Sequence, residues 1–148
     1  MNEHGPWTEK DFESLSWHDC EVFGISFDNF NSEYGSADLI LDIDLIIDSQ
    51  AGDNGFNFIA KRAELRFHDI FGLKLDLDYK TPTAGMCAFS IHEIERKSLK
   101  YDTGNTSYQW NIPINWPKGH IEFEAKKFTQ TITGEPHILG RTDNEIKE

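Results

Sequence analysis

"DLILDIDLIID", residues 38–48, decides the fold. Leu39, Leu41, Ile43, Leu45 and Ile47 recur at every second position, and Asp38, Asp42, Asp44 and Asp48 stand among the residues between them. A period of two belongs to a β-strand, whose side chains point alternately to opposite faces. One face of this strand is expected to meet a core and the other to meet water.

The same alternation returns on both sides of it. "EVFGISFD" (21–28) sets Phe23, Ile25 and Phe27 against Val22, Gly24 and Ser26, and "NFNSEYGS" (29–36) reads as the hairpin loop between these two strands. After "SQAGDNG" (49–55), with Asn54-Gly55 as a turn signal, "FNFIAKRAELRFHD" (56–69) reads as one bent strand or two short ones. Here Ala63, Leu65 and Phe67 alternate with Glu64, Arg66 and His68. "IFG" (70–72) is expected to turn the chain. "LKLDLDY" (73–79) then places Leu73, Leu75, Leu77 and Tyr79 inward, with Lys74, Asp76 and Asp78 outward. "MCAFSIHEIER" (86–96) is a further strand. "SYQWNIPI" (107–114) aligns Tyr108, Trp110, Ile112 and Ile114, and Pro113 marks it as an edge strand or the site of a bulge. "HIEFEAKKF" (120–128) alternates Ile121, Phe123 and Ala125 against His120, Glu122, Glu124 and Lys126. Only residues 8–16 suggest a helix, with Thr8 as N-cap, Glu9 and Asp11 in the first turn, and Phe12 and Leu15 facing the core.

About eight strands at even spacing, joined by connections too short for helical crossovers, predict an all-β, single-domain antiparallel sandwich or partly open barrel. With 148 residues, 38% of them hydrophobic, the chain can bury a real core. The expected core spans about residues 8–139, and residues 140–148 read as a flexible tail with little to bury.

Charge is distributed unevenly. The net charge is −12; residues 1–60 hold 13 acids against Lys10 alone, and the rest of the chain is balanced. A field of one sign repels nucleic acid and attracts basic proteins or cations. The polar, acidic residues 1–14 lack the basic start and apolar run of a signal peptide, and the sequence shows no apolar run long enough to span a membrane and no phosphate-binding glycine loop. The expectation is a cytoplasmic protein without membrane or nucleic-acid partners and without a cofactor. Cys20 and Cys87 fit reduced thiols there, although their spacing does not exclude a disulfide.

Two aromatic–His–Asp triplets offer a chemical alternative. "WHD" (17–19) and "FHD" (67–69) supply His18, Asp19, His68 and Asp69 as candidate metal or small-ligand residues. Neighbours on a regular strand point to opposite faces, however, so neither pair can act together there. The structural reading makes Trp17 a core anchor and the two aspartates acceptors at strand or turn boundaries. For the acidic residues, the functional reading is a docking surface for a basic protein. Asp38, Asp42, Asp44, Asp48, Asp76 and Asp78 would make the contacts, and Glu21 would flank them. Whether residues 39–47 and 73–79 lie side by side, and whether the chain dimerises, stay open.

Taken in order, "LSWHDCEVFGISFD" (15–28), "LILDIDLIID" (39–48), "AELRFHDIFGLKLDLDY" (63–79), "IHEIER" (91–96) and "GHIEFEAKKFTQ" (119–130) resemble a group of small, mostly uncharacterised bacterial proteins. In these a Trp-His-Asp element precedes the first strand, and an F-x-(D/N)-type turn follows a middle strand. Some serve as immunity proteins beside secreted polymorphic or contact-dependent toxins. The resemblance implies an inhibitor that is not an enzyme, and it carries over no catalytic residue.

Overall fold

The computed structural model describes residues 5–52, 55–80 and 85–139. The expected all-β fold is present. Ten strands pair antiparallel: β1 (Trp7–Thr8), β2 (Glu21–Asn31), β3 (Ser36–Gly52), β4 (Gly55–Leu77), β5 (Phe89–Ile91), β6 (Glu95–Lys100), β7 (Thr106–Trp116), β8 (Gly119–Ala125), β9 (Lys127–Ile132) and β10 (His137–Ile138). The difference from eight comes from β1 and β10, which are two residues each. The expected tail at 140–148 lies outside the described residues.

The pairings run β2–β3–β4–β8–β7–β5 and return from β5 to β2, so the sheet curls into a barrel. β8 and β9 are nearly continuous, broken only at Lys126, and together line one edge of β4. Leu39, Leu41, Ile43, Leu65, Ile112 and Ile121 are fully buried inside the curl. Around them an aromatic cluster forms, in which Phe67 stacks on Trp110 at 5.1 Å and meets Phe128 edge-on at 5.6 Å. Burial of apolar area on this scale is the main stabilising term for such a fold.

A six-residue 3-10 helix, Glu9–Ser14, closes one end. Thr8 is its N-cap as expected: its side chain accepts from the Lys10 N–H, and Asp11 accepts from the Thr8 N–H. The element is shorter and tighter than the reading of 8–16. Phe12 packs on Trp17 at 5.7 Å and on Trp110 at 5.5 Å, and the Arg96 guanidinium lies 4.3 Å above the Phe12 ring.

Several expected faces are corrected by bulges, each of which moves the alternation by one residue. In β2 the register slips between Val22 and Gly24. Val22, Ile25 and Phe27 therefore face Ile43, Leu41 and Leu39, and Phe23 turns outward beneath Arg62. In β3 a slip between Ile46 and Asp48 leaves Ile47 exposed. In β4, "IFG" does not reverse the chain; it is part of an irregular stretch within one long strand. "MCAFSIHEIER" divides into β5 and β6. Pro113 does not mark an edge, because β7 has neighbours on both sides. It sits where one neighbour, β6, ends at Asn111 and the next, β5, begins at Ile114, next to a bulge at Asn115. A missing N–H is tolerated at such a gap, and the Pro113 carbonyl accepts from the His92 N–H.

Candidate protein-binding surfaces

The acidic residues singled out from the sequence separate into three groups. Asp38 and Asp44 are buried, at 3% and 2% exposure, so their carboxylates cannot meet a partner. Asp38 joins two irregular strand segments. Its carboxylate accepts from the Asp69 backbone N–H at 2.9 Å, from the Asn29 amide at 2.8 Å and from the Arg66 guanidinium at 2.7 Å. Asn29 and Asp69 both take positive φ, at 51°, in the left-handed region that Asn and Asp tolerate better than most residues. Burial pushes the Asp38 carboxyl up. The hydrogen bonds from Asp69, Asn29 and Arg66, with the charge of His68, outweigh it and hold the group below its ordinary range. Arg66 is in turn held above its ordinary value, chiefly by its bond to Asp38. Asp44 lies 2.8 Å from Arg62 and 3.1 Å from His137.

Asp42 and Asp48 are exposed on β3 and form the second group. Asp42 stands opposite Glu64 on β4 and above Gly24 on β2, and it makes no ion pair among the described residues. Asp28, next to Asn29, opposes Asp38, and Glu21 opposes Asp44. Three cross-strand pairs on this face therefore join acid to acid. Arg62 pairs with buried Asp44, and Arg66 pairs with buried Asp38 and also lies 3.7 Å from outward Asp28 and 3.6 Å from outward Glu64, which leaves Asp42 as the outward carboxylate between them with no ion pair among the described residues. Glu64 and Asp28 were missed by the sequence reading. Glu64 alternates with two arginines, and that pattern reads as a balanced face; in the structure Arg62 turns to buried Asp44, and Arg66 makes its closest contact with buried Asp38 while staying 3.6 Å from Glu64.

Asp76 and Asp78 form the third group, at the far end of β4. There Asp76 opposes His120 on β8, and Lys118 lies nearby. The strand 39–47 therefore lies beside the first part of β4 and not beside 73–79, so the two aspartate ladders do not merge into one cluster.

The two aromatic–His–Asp triplets share a structural use. Trp17 and Phe67 both enter the core and both meet Phe128 edge-on. The Trp17 indole N–H donates to buried Gln130 at 2.6 Å. Asp19, like Asp69, has positive φ (64°), and its carboxylate accepts from Asn115. His18 bonds the His92 carbonyl, whereas His68 bonds the Thr129 hydroxyl, so the pairs serve different parts of the barrel. Among the described residues, no three His, Cys, Asp or Glu side chains come together in a way that could hold a metal. Cys20 is buried, and Cys87 is exposed and free.

A second surface was not legible in the sequence. β2 is paired with β5 only at Glu21 and Val22, so residues 23–31 carry a free edge on that side among the described residues. Residues 71–77 of β4 pair with β8 on one side and, among the described residues, with no strand on the other. Side chains from both strands line the depressions between them. One, of about 480 Å³, takes Phe27, Phe30, Ile70, Phe71 and Leu73; another takes Val22, Ile25, Leu77 and Phe89. The barrel wall is therefore slit along this line. Phe27, Leu73 and Leu75, which point toward the barrel interior or its mouth, remain 40%, 38% and 44% exposed because no strand covers them.

Compared with protein-family models, curated proteins and solved structures, the chain matches none. No helix among the described residues is long and apolar enough to cross a membrane.

Proposed function

We propose that this chain is a non-enzymatic protein-binding domain that meets a basic partner through the acidic outer face of β2, β3 and β4. An immunity-type role, in which it blocks a basic toxin such as a nuclease, is the sharpest form of that reading. The carrying observation is Asp42 facing Glu64 directly across the strands. Like charges in that position destabilise a sheet by a few tenths of a kcal/mol. A basic partner would offset that repulsion and would be steered to the face by its field. The free cysteine at Cys87 suits a reducing, cytoplasmic setting. Of the contact set named from the sequence, Asp38 and Asp44 are buried and Asp76 and Asp78 lie apart at the far end of β4, so the reading rests on Asp42 and Asp48, joined by Asp28 and Glu64, with Glu21 at the margin.

The test begins with the product of the gene next to this one. Co-expression and titration calorimetry at about 50 and about 300 mM salt measure whether it binds and how steeply salt weakens it. Asp42→Lys combined with Glu64→Lys is expected to lower affinity roughly tenfold or more and to flatten the salt dependence. Unchanged affinity with an unchanged salt slope removes the acidic face from the interface.

A further inference from the structure

We propose that the slit between β2 and the second half of β4 receives an extended segment of the partner protein as an added strand. In that segment bulky apolar side chains would alternate with Lys or Arg. The inference rests on the basic-partner reading above and adds to it the element that enters.

Four features carry it. First, residues 23–31 of β2 and 71–77 of β4 each present an edge with no strand partner among the described residues, and both edges border the same opening. Backbone N–H and C=O groups at such edges are a template for another strand. Second, the interior side of the opening is apolar: Ile25 and Phe27 come from one wall, Leu73, Leu75 and Leu77 from the other, and Phe30 stands at the mouth, 76% exposed. A strand laid between them would turn every second side chain into this space. Third, the outward positions of the two walls carry Asp28 and Asp76 against Lys74, Asp78 follows directly after the end of β4, and Arg66 lies 3.7 Å from Asp28. The outward side chains of an added strand would lie cross-strand from these carboxylates, where opposite charges are favourable. The required pattern is therefore apolar inward and basic outward. Fourth, the chain's own edges among the described residues do not supply it. β6, "ERKSLK", is basic but carries a single apolar residue, Leu99, and β1 and β10 are two residues long. A second copy of the chain is a poor donor for the slit.

The probe is a synthetic peptide of about nine residues with alternating Lys and Val. It is compared with its Glu-for-Lys counterpart and with a version in which two central Val are replaced by Pro. Affinity is read by fluorescence anisotropy of labelled peptide, and location by hydrogen exchange of the protein with mass-spectrometric readout. The Lys/Val peptide is expected to bind and to slow exchange at 23–31 and 71–77, with the Glu and Pro versions weaker by roughly tenfold or more. Phe27→Asp with Leu75→Asp, at positions already exposed, should abolish binding without lowering the melting temperature. Asp28→Lys with Asp76→Lys should reverse the preference toward the Glu peptide.

Four results overturn the proposal: peptide binding without protection of those two segments; equal binding of the Pro peptide; protection that appears on concentrating the chain alone, which would make a second copy the occupant; and tight binding of a fatty acid in place of any peptide. The two readings separate cleanly. Loss of partner binding in Asp42→Lys with Glu64→Lys, together with an inert slit, keeps the acidic face and removes the added strand. The opposite pattern does the reverse.

Discussion

Asp38 shows how one residue can look functional and act structurally. An aspartate in a strand of aspartates reads as part of an acidic surface, but this one is buried and takes three hydrogen bonds from two other strands. Its worth depends on its charge. Replacing it with Asn keeps the shape and leaves Arg66 without its closest carboxylate, a loss expected to be about 3 kcal/mol near neutral pH. The pH dependence follows from the depressed folded-state value. A carboxyl held below its unfolded value contributes stability above the unfolded pKa, near 3.8, and loses it as pH falls through the folded pKa. Thermal melts of the wild type and Asp38→Asn should therefore differ most above the unfolded value and converge as pH falls through the lower folded one. A gap that stays constant down to the acid limit would show that the Asp38 charge is not what holds the bulges.

At the scale of elements, alternation was a sound guide wherever pairing is regular. Leu39 to Leu45, Ala63 to Phe67, Trp110 to Ile114 and Ile121 to Ala125 all face the core as their spacing implied. It gave the wrong face at Phe23 and Ile47 and, at Leu73 and Leu75, the right direction without the burial, for two different reasons. A bulge shifts the phase by one residue without any compositional mark at the residue it displaces, so Phe23 and Ile47 look like ordinary core positions. Leu73 and Leu75 lie on a strand whose second neighbour is absent among the described residues, and periodicity says nothing about who the neighbours are. One signal was present: Asn29 and Asp69 interrupt strand patterns with residues that accept positive φ. The closing of β4 against β8 rests on a glycine. A Cβ on Gly119 would collide with the Asp76 carbonyl oxygen, which is backbone and cannot move aside. A Cβ on Gly24 would meet only the end of the Asp42 side chain, 2.9 Å away. Gly119→Ala is therefore expected to cost about 3 kcal/mol or to prevent folding, and Gly24→Ala less than about 1 kcal/mol, as read from urea midpoints. Equal losses would mean that the β4–β8 approach is looser than the backbone positions indicate.

The whole molecule carries a net charge of −12, yet its folded form neutralises selectively. Arg62 and Arg66 turn to the buried carboxylates, because a buried charge without a partner is far more costly than an exposed one. Arg66 also stays 3.6 Å from Glu64, but Asp42 has no ion pair among the described residues, and it faces Glu64 across the strands as a like charge. Folding alone would favour the opposite arrangement, and this makes stability a test of purpose. Asp42→Lys converts a like-charge cross-strand pair into an attractive one, so the free protein should gain about 0.5 kcal/mol at low salt. The gain should shrink as salt screens it. Asp76→Lys is the control: Asp76 opposes His120 with Lys118 close by, so a lysine there adds repulsion and should give no gain. Urea unfolding of the three proteins at two ionic strengths measures this directly. A gain at Asp42 alone, in a variant that also binds the partner more weakly, is the pattern expected of a face kept acidic for docking at the expense of the free fold. If Asp42→Lys destabilises the protein, Asp42 belongs to the fold's own support, and the acidic-face reading loses the observation that carries it.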